Sequence, residues 1–335
     1  VFCAIPYAAP PTGALRWRPP HPPVPWHTPR DATGVGPAAP QPRGGPLDSL
    51  VPDMAVDATD EDCLTVDVWT PGVDAEARPV LVWFHGGAFT IGNASLTSYD
   101  GARLAANEDV VVVNVNYRLG ALGFLVIDHP DAAANCGLLD QLAALEWVRD
   151  NIAALGGDPG RVAVFGESAG GGSVLSLLST TRSEGLFRAA IVQSGATDLV
   201  LDRARALDVS RTVARHAGID AEDIDGWRAL PVDALVDAQA AASRSLLATV
   251  GGLAVLGVVL KVVAFESAPC KVVSYSLYLV MGWAAIIAAP VLVDHLTAGQ
   301  LALIVAGGIA YTIGFPVLFT RRPNPWPTTF GYHEI

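Results

Sequence analysis

Lysine is almost absent from this chain. Only Lys261 and Lys271 occur in 335 residues, so nearly all of the 21 basic residues are arginine, against 33 Asp and Glu. The formal net charge is −12. Nucleic-acid binding needs clustered positive charge to displace counterions, so this balance argues against a nucleic-acid partner. Cysteine is also scarce: four residues in a chain of this length do not make a disulfide framework. Charged residues total only 16% and hydrophobic residues 51%, which excludes intrinsic disorder. The opening Val1-Phe2-Cys3 lacks the basic and apolar regions of a secretory signal.

What is present divides unevenly. The chain is acidic, yet its mean hydropathy is +0.38. Residues 1–250 hold 17 Arg and no Lys against 30 acidic residues. Residues 251–335 hold Lys261, Lys271, Arg321 and Arg322 against Glu266, Asp294 and Glu334. The sequence therefore predicts two unlike pieces, 1–242 and 249–335, with a junction at 243–248. The second piece contains three apolar runs, 246–265, 272–293 and 300–320, broken within only by Lys261. Each has about the ~20 residues a helix needs to cross a bilayer. Three transmembrane helices are expected, with the lipid bilayer as partner. Lys261, Lys271, Arg321 and Arg322 would share one face, which the positive-inside rule makes cytoplasmic. A multi-pass membrane protein with residues 1–242 on the exoplasmic side follows.

The first piece alternates two periods. The runs 79–84 (PVLVWF), 110–115 (VVVVNV), 161–165 (RVAVF) and 188–193 (RAAIVQ) read as buried strands. Residues 135–155 read as a helix from the 3–4 spacing of Leu138, Leu142, Leu145, Val148 and Ile152, and 203–217 as another. Strand alternating with helix implies α/β architecture with a mostly parallel sheet. Gly166-Glu167-Ser168-Ala169-Gly170 falls between a strand and a helix, which is the context that gives G-x-S-x-G meaning. Such a turn projects Ser168 as a nucleophile, and Gly166 and Gly170 let strand and helix approach. His85-Gly86-Gly87-Ala88-Phe89 follows the strand at 79–84, where backbone N–H groups can face an oxyanion. The N–H groups of Gly87, Ala88 and Ala169 are the expected oxyanion hole. His85 and Gly86 shape that loop; His85 precedes the oxyanion residues and is not expected to be the general base.

These motifs, with IPYAAPP at 5–11, LRWRPP at 15–20, EDCLTVDVW at 61–69, NYRLGALGF at 116–124, NCGLLDQ at 135–141 and GGDP at 156–159, make residues 1–242 resemble the type-B carboxylesterases. The resemblance implies an incomplete α/β-hydrolase fold, a small-molecule ester substrate and a serine acyl-enzyme mechanism with Ser168 as nucleophile. It also implies that Glu167 is a buried acid beside the nucleophile. The family's triad acid and His lie further along, and His216, His295 and His333 do not match the base, so impaired activity is expected. The family often closes a disulfide on the cysteine corresponding to Cys63. No partner precedes Cys63 between 34 and 52, so Cys3, Cys63, Cys136 and Cys270 are expected as free thiols.

The tail resembles the hemolysin III family through YLVMGW at 278–283, AGGIAYTIG at 306–314 and FGYHEI at 330–335. His333 matches the first His of that family's zinc motif, but its partner ligands are missing, so neither a metal site nor a cofactor is expected. Three readings stay open: an ester hydrolase with a membrane tail, a hemolysin III-type membrane protein carrying the esterase-like part as a passenger, and an artefactual fusion of two truncated genes.

Overall fold

The computed structural model describes residues 1–43, 56, 58–195 and 200–250. The chain divides into two compact units, Val1–Ser243 and Arg244–Ile335; the fold and the site below belong to the first. Among the described residues, no helix is long and apolar enough to cross a membrane. The expected spans lie outside the described residues, save 246–250 at the end of the last helix.

Six strands form one sheet: β1 (Phe2–Pro6), β2 (Thr65–Trp69), β3 (Arg78–Phe84), β4 (Val111–Val115), β5 (Gly157–Glu167) and β6 (Ala189–Gln193). Their order is β1-β2-β4-β3-β5-β6. The four strands expected from the apolar runs are β3 to β6, and they run parallel to one another. Two further strands, β1 and β2, join antiparallel beside β4, which makes the sheet mixed. Strand β2 alternates polar Thr65 and Asp67 with Val66 and Val68 over only five residues, yet its first four positions are all buried.

The central strands present alternate residues to two faces. Val80, Val82, Phe84, Val111, Val113 and Val115 enter the main core, together with Leu142, Leu145 and Val148 of α3 (Cys136–Asn151). Val112 and Leu81 face the other way, against Ala105 of α1 (Ala102–Glu108). The helix expected at 135–155 is thus α3 followed by a 3-10 turn at Ile152–Leu155, which Gly156 ends with φ +82°. A short α2 (Gly120–Phe124) precedes α3, and α4 (Ala169–Leu178) follows β5. A second core gathers Trp17 of the N-terminal segment, Leu122 of α2, Val213 of α5 (Arg203–Ala217), Trp227 of α6 (Ile224–Ala229) and Leu235 of α7 (Val232–Val250). Trp17 and Trp227 meet edge-on at 5.9 Å, and the Trp17 indole donates to the Ala121 carbonyl.

One buried ion pair ties these parts together. Arg118 donates from Nε and Nη2 to the two carboxylate oxygens of Asp140 at 2.8 and 2.6 Å. Its Nη1 donates to the Arg18 carbonyl. Arg118 is 2% exposed and Asp140 0%. A bidentate fork of this kind is among the stronger polar contacts available to a protein interior. It fixes the loop after β4 to the start of α3 and to the N-terminal segment.

Candidate active site

The end of β5 carries the site. Ser168 sits between β5 and α4 as the N-cap of the helix, with φ +55° and ψ −118°. This is a sparsely populated conformation, costing about 1–3 kcal/mol and held only where the surroundings over-determine it. The surroundings are visible. The Ser168 N–H donates to the Gln193 carbonyl of β6, and the Ser168 carbonyl accepts from Gly172. The helix therefore begins at Ala169.

Glycine is required at both flanks. A Cβ on Gly170 would lie 1.9 Å from the Phe84 carbonyl oxygen, and one on Gly166 would lie 2.5 Å from the Gly170 backbone. Strand β3, strand β5 and helix α4 thus close upon one another at this turn. The loop after β3 joins them: a Cβ on Gly86 would meet the Glu167 carbonyl oxygen at 2.9 Å and Ser168 Cβ at 3.3 Å. His85–Phe89 and the serine turn are therefore in contact.

That loop has three consecutive positive φ angles, Gly87 at +110°, Ala88 at +54° and Phe89 at +60°. The Gly87 carbonyl accepts from Thr90 and Ile91 at 3.0 Å, so it faces its own turn. Among the described residues, the N–H groups of Gly87, Ala88 and Ala169 have no acceptor. Unfilled N–H donors beside a helix N-terminus suit a developing negative charge.

His85 supports the loop from beneath. It is buried, its ring stacks on Tyr117 at 4.5 Å, and Nδ1–H donates to the Gly86 carbonyl. Tyr117 in turn donates to the His85 carbonyl at 2.6 Å. Burial pushes the His85 pKa down to about 4, so it is neutral at pH 7.

Glu167 departs from expectation. It is exposed rather than buried. The cause lies in β6, which forms the sheet edge: Ile191, Val192 and Gln193 are exposed, and nothing among the described residues covers that side. The Ser168 hydroxyl itself is half-buried and has no hydrogen-bond partner among the described residues. His216 lies exposed on α5; His295 and His333 lie outside the described residues. Cys3, Cys63 and Cys136 are buried free thiols, and Cys270 lies outside the described residues. No group of three or more His, Cys, Asp or Glu among the described residues could hold a metal ion.

A cleft of about 390 Å³ opens beside the site, bounded by Phe89 of the N–H loop, Phe124, Leu138 of α3, Ser173 and Ser176 of α4, and Leu201 before α5. Composition and spacing gave no sign of it, because its walls come from five separate stretches.

A strained serine at a strand–helix turn, touching the loop after a neighbouring parallel strand of a mixed sheet, is the arrangement of the α/β-hydrolase fold. Residues 1–268 match the Carboxylesterase family, and the chain belongs to it. It is 44% identical over 236 residues to para-nitrobenzyl esterase of Bacillus subtilis, covering 70% of this chain and 47% of that protein. It is 44% identical over 235 residues to human cocaine esterase, covering 67% and 42%. The solved carboxylesterase EST55 of Geobacillus stearothermophilus superposes with a TM-score of 0.66 at 41% identity, covering 71% of this chain and 48% of that one. The chain thus spans about half the length of the relatives it matches. Residues 230–335 match a second family, described as Haemolysin-III related.

Proposed function

We propose that this chain acts on carboxylic esters of small molecules, with Ser168 as the nucleophile and the N–H groups of Gly87, Ala88 and Ala169 as the oxyanion hole. The observation that carries the reading is the contact of the strained Ser168 turn with Gly86, the residue that leads into the positive-φ stretch Gly87–Phe89. Ser168 Oγ attacks the ester carbonyl carbon, and the oxygen that becomes negative lies among the three N–H donors. Collapse expels the alcohol and leaves an acyl-serine, which water hydrolyses. Gly86, Gly166 and Gly170 supply the close approaches, His85 braces the loop, and Glu167 is an exposed carboxylate beside it.

Turnover is proposed to be weak. The hydroxyl proton needs a base, and no described residue bonds to it. Loss of the base in a serine triad costs on the order of 10⁶ in turnover. A fluorophosphonate probe tests the assignment without requiring turnover. Slow labelling confined to Ser168, located by mass spectrometry and lost in Ser168→Ala, is expected. Labelling spread equally over other serines would sink it.

The C-terminal match supports a second reading for the tail. Residues 249–335 are proposed to lie in the bilayer as a hemolysin III-type segment of three spans, at about 246–265, 272–293 and 300–320, with the hydrolase part on the exoplasmic face. The alternative reading makes the chain a hemolysin III-type membrane protein with the esterase-like part as a passenger. Carbonate extraction reads the anchoring, and external protease on intact cells reads the side. Release into the carbonate supernatant, or protection of residues 1–242, would reject the respective statement.

A further inference from the structure

The loop that carries Gly87 and Ala88 is closed by a side chain from a distant stretch, Gln41. Residues 91 and 92 fold back onto the start of the loop. A Cβ on Gly87 would lie 2.1 Å from the Ile91 carbonyl oxygen. One on Gly92 would lie 2.4 Å from His85 Nδ1 and 2.8 Å from the Gly86 carbonyl oxygen. Gly92 has φ +122°, which glycine alone adopts readily. Its backbone is therefore pressed against His85 and Gly86, the two residues that lead into the N–H donors.

Gln41 holds Gly92 in that place. Its Nε2 donates to the Gly92 carbonyl and its Oε1 accepts from the Gly92 N–H, both at 2.8 Å. The other Nε2 hydrogen goes to the Ala39 carbonyl at 3.0 Å. All three bonds are buried, and Gln41 is 6% exposed. The anchor is itself tied down, since the Ala38 N–H donates to the Ala58 carbonyl and its carbonyl accepts from Asp60. A buried hydrogen bond contributes only about 0.5–1.5 kcal/mol net, so what the amide chiefly supplies is a fixed backbone position.

That position bears on the donors. A trans peptide sets its N–H opposite its carbonyl. The Gly86 carbonyl accepts from His85 Nδ1–H, so the Gly87 N–H is turned away from His85. The Gly87 carbonyl accepts from Thr90 and Ile91, so the Ala88 N–H is turned away from that turn. We infer that Gln41 is a positioning residue for the oxyanion hole: by gripping Gly92 it holds the His85–Gly86 contact, and through it the direction of the Gly87 N–H. This rests on the reading of Gly87 and Ala88 as oxyanion donors. Gln41 acts through Gly92 and takes no part in bond making.

The test is the rate at which a fluorophosphonate labels Ser168 in the full chain, measured from about pH 5.5 to 8. The rate reports the hole, because the phosphoryl oxygen occupies it while the phosphorus–Oγ bond forms and fluoride and the hydroxyl proton leave to water. Gln41→Met keeps the length of the side chain and loses all three bonds. It is expected to label about tenfold to a hundredfold more slowly, the scale of a misplaced donor. Gln41→Glu adds a pH profile. A neutral carboxyl can accept from the Gly92 N–H and donate to its carbonyl, as the amide does, whereas a carboxylate cannot donate. Burial raises the pKa of such a carboxyl above its ordinary value of about 4.3. The ratio of its rate to that of the unmutated chain should therefore climb as the pH falls. His85, Tyr117 and Glu167 lie against the loop in both proteins and cancel in that ratio. An amide with a merely structural role would shift the thermal melt of either variant and leave the rate per folded molecule unchanged. Labelling of folded Gln41→Met within about twofold of the unmutated chain overturns the inference, as does a Gln41→Glu ratio that is flat with pH. If Gln41→Met does not fold, the Gln41→Glu profile decides. Absence of labelling at Ser168 in the unmutated chain is a different outcome, which removes the esterase reading and this inference with it.

Discussion

Strand β5 carries Ser168 between two unlike neighbours. On one side lies β3, whose Val80, Val82 and Phe84 are wholly buried and whose following loop supplies the N–H donors. On the other lies β6, where Ile191 is 53% exposed and Val192 36%. The β3 side is made of backbone pressed on backbone, as the 1.9 Å approach at Gly170 shows. The β6 side also meets the site, since Ser168 N–H donates to the Gln193 carbonyl and a Cβ on Gly171 would lie 2.8 Å from that oxygen, but the strand itself is exposed. Among the described residues the site therefore has a closed side at β3 and an open side at β6, beside which Glu167 is exposed.

The closed half should break first under mutation. Asp140→Ala leaves the Arg118 guanidinium buried without its carboxylate. Removing one partner of a buried pair costs about 3–5 kcal/mol, so this variant is expected to lose most of the stability of residues 1–243. Urea unfolding, followed by tryptophan fluorescence, measures it. A loss under 1 kcal/mol would mean that the closed half does not depend on this pair.

Much of this half was legible in the sequence, for a physical reason. The strands β3, β4 and β5 are continuous apolar runs, and the turn at Gly166–Gly170 and the loop at His85–Phe89 are built from glycine and position rather than from distant partners. Those features are local, and local pattern reports them. What escaped was non-local. Strand β2 is buried at Thr65 and Asp67 as well as at its valines, so its composition does not look like a core strand. The Arg118–Asp140 pair and the Gln141–Ser173 pair join residues 22 and 32 apart in the chain. Exposure of Glu167 depends on what covers β6, which the residue's own neighbourhood does not encode.

A smaller effect probes His85, in the closed half. Its folded pKa is about 4, below the ordinary value near 6.5, because burial disfavours the imidazolium. The sign follows directly. The unfolded chain binds the proton more readily, so acid favours unfolding. The stability from neutral His85 is full above pH 6.5 and is lost as the pH falls to 4, by up to about 3 kcal/mol. A His85→Phe variant, which can still stack on Tyr117, should remove this slope between pH 6.5 and 4. Buried Asp67, whose pKa is raised by desolvation, titrates in both proteins and cancels in the difference. An unchanged slope would place the acid sensitivity elsewhere.

The smallest expected effect sharpens the contrast most directly, because one kind of substitution is made in both halves. Val113→Thr in β4 puts a hydroxyl among Val68, Val82 and the main core, where the register leaves no water to reach it. A cost of about 1–3 kcal/mol is expected, since valine and threonine match in shape but not in polarity. Ile191→Thr in β6 removes an exposed side chain from the sheet edge and keeps a β-branched residue. Its effect on unfolding should stay within about 0.5 kcal/mol. Exposed apolar edges template intermolecular pairing, so the same change should slow aggregation. Thermal melts and light scattering on the pair of variants give both quantities. Equal costs at Val113 and Ile191 would mean that β6 is covered in solution, and the division between a closed and an open side of Ser168 would fall with it.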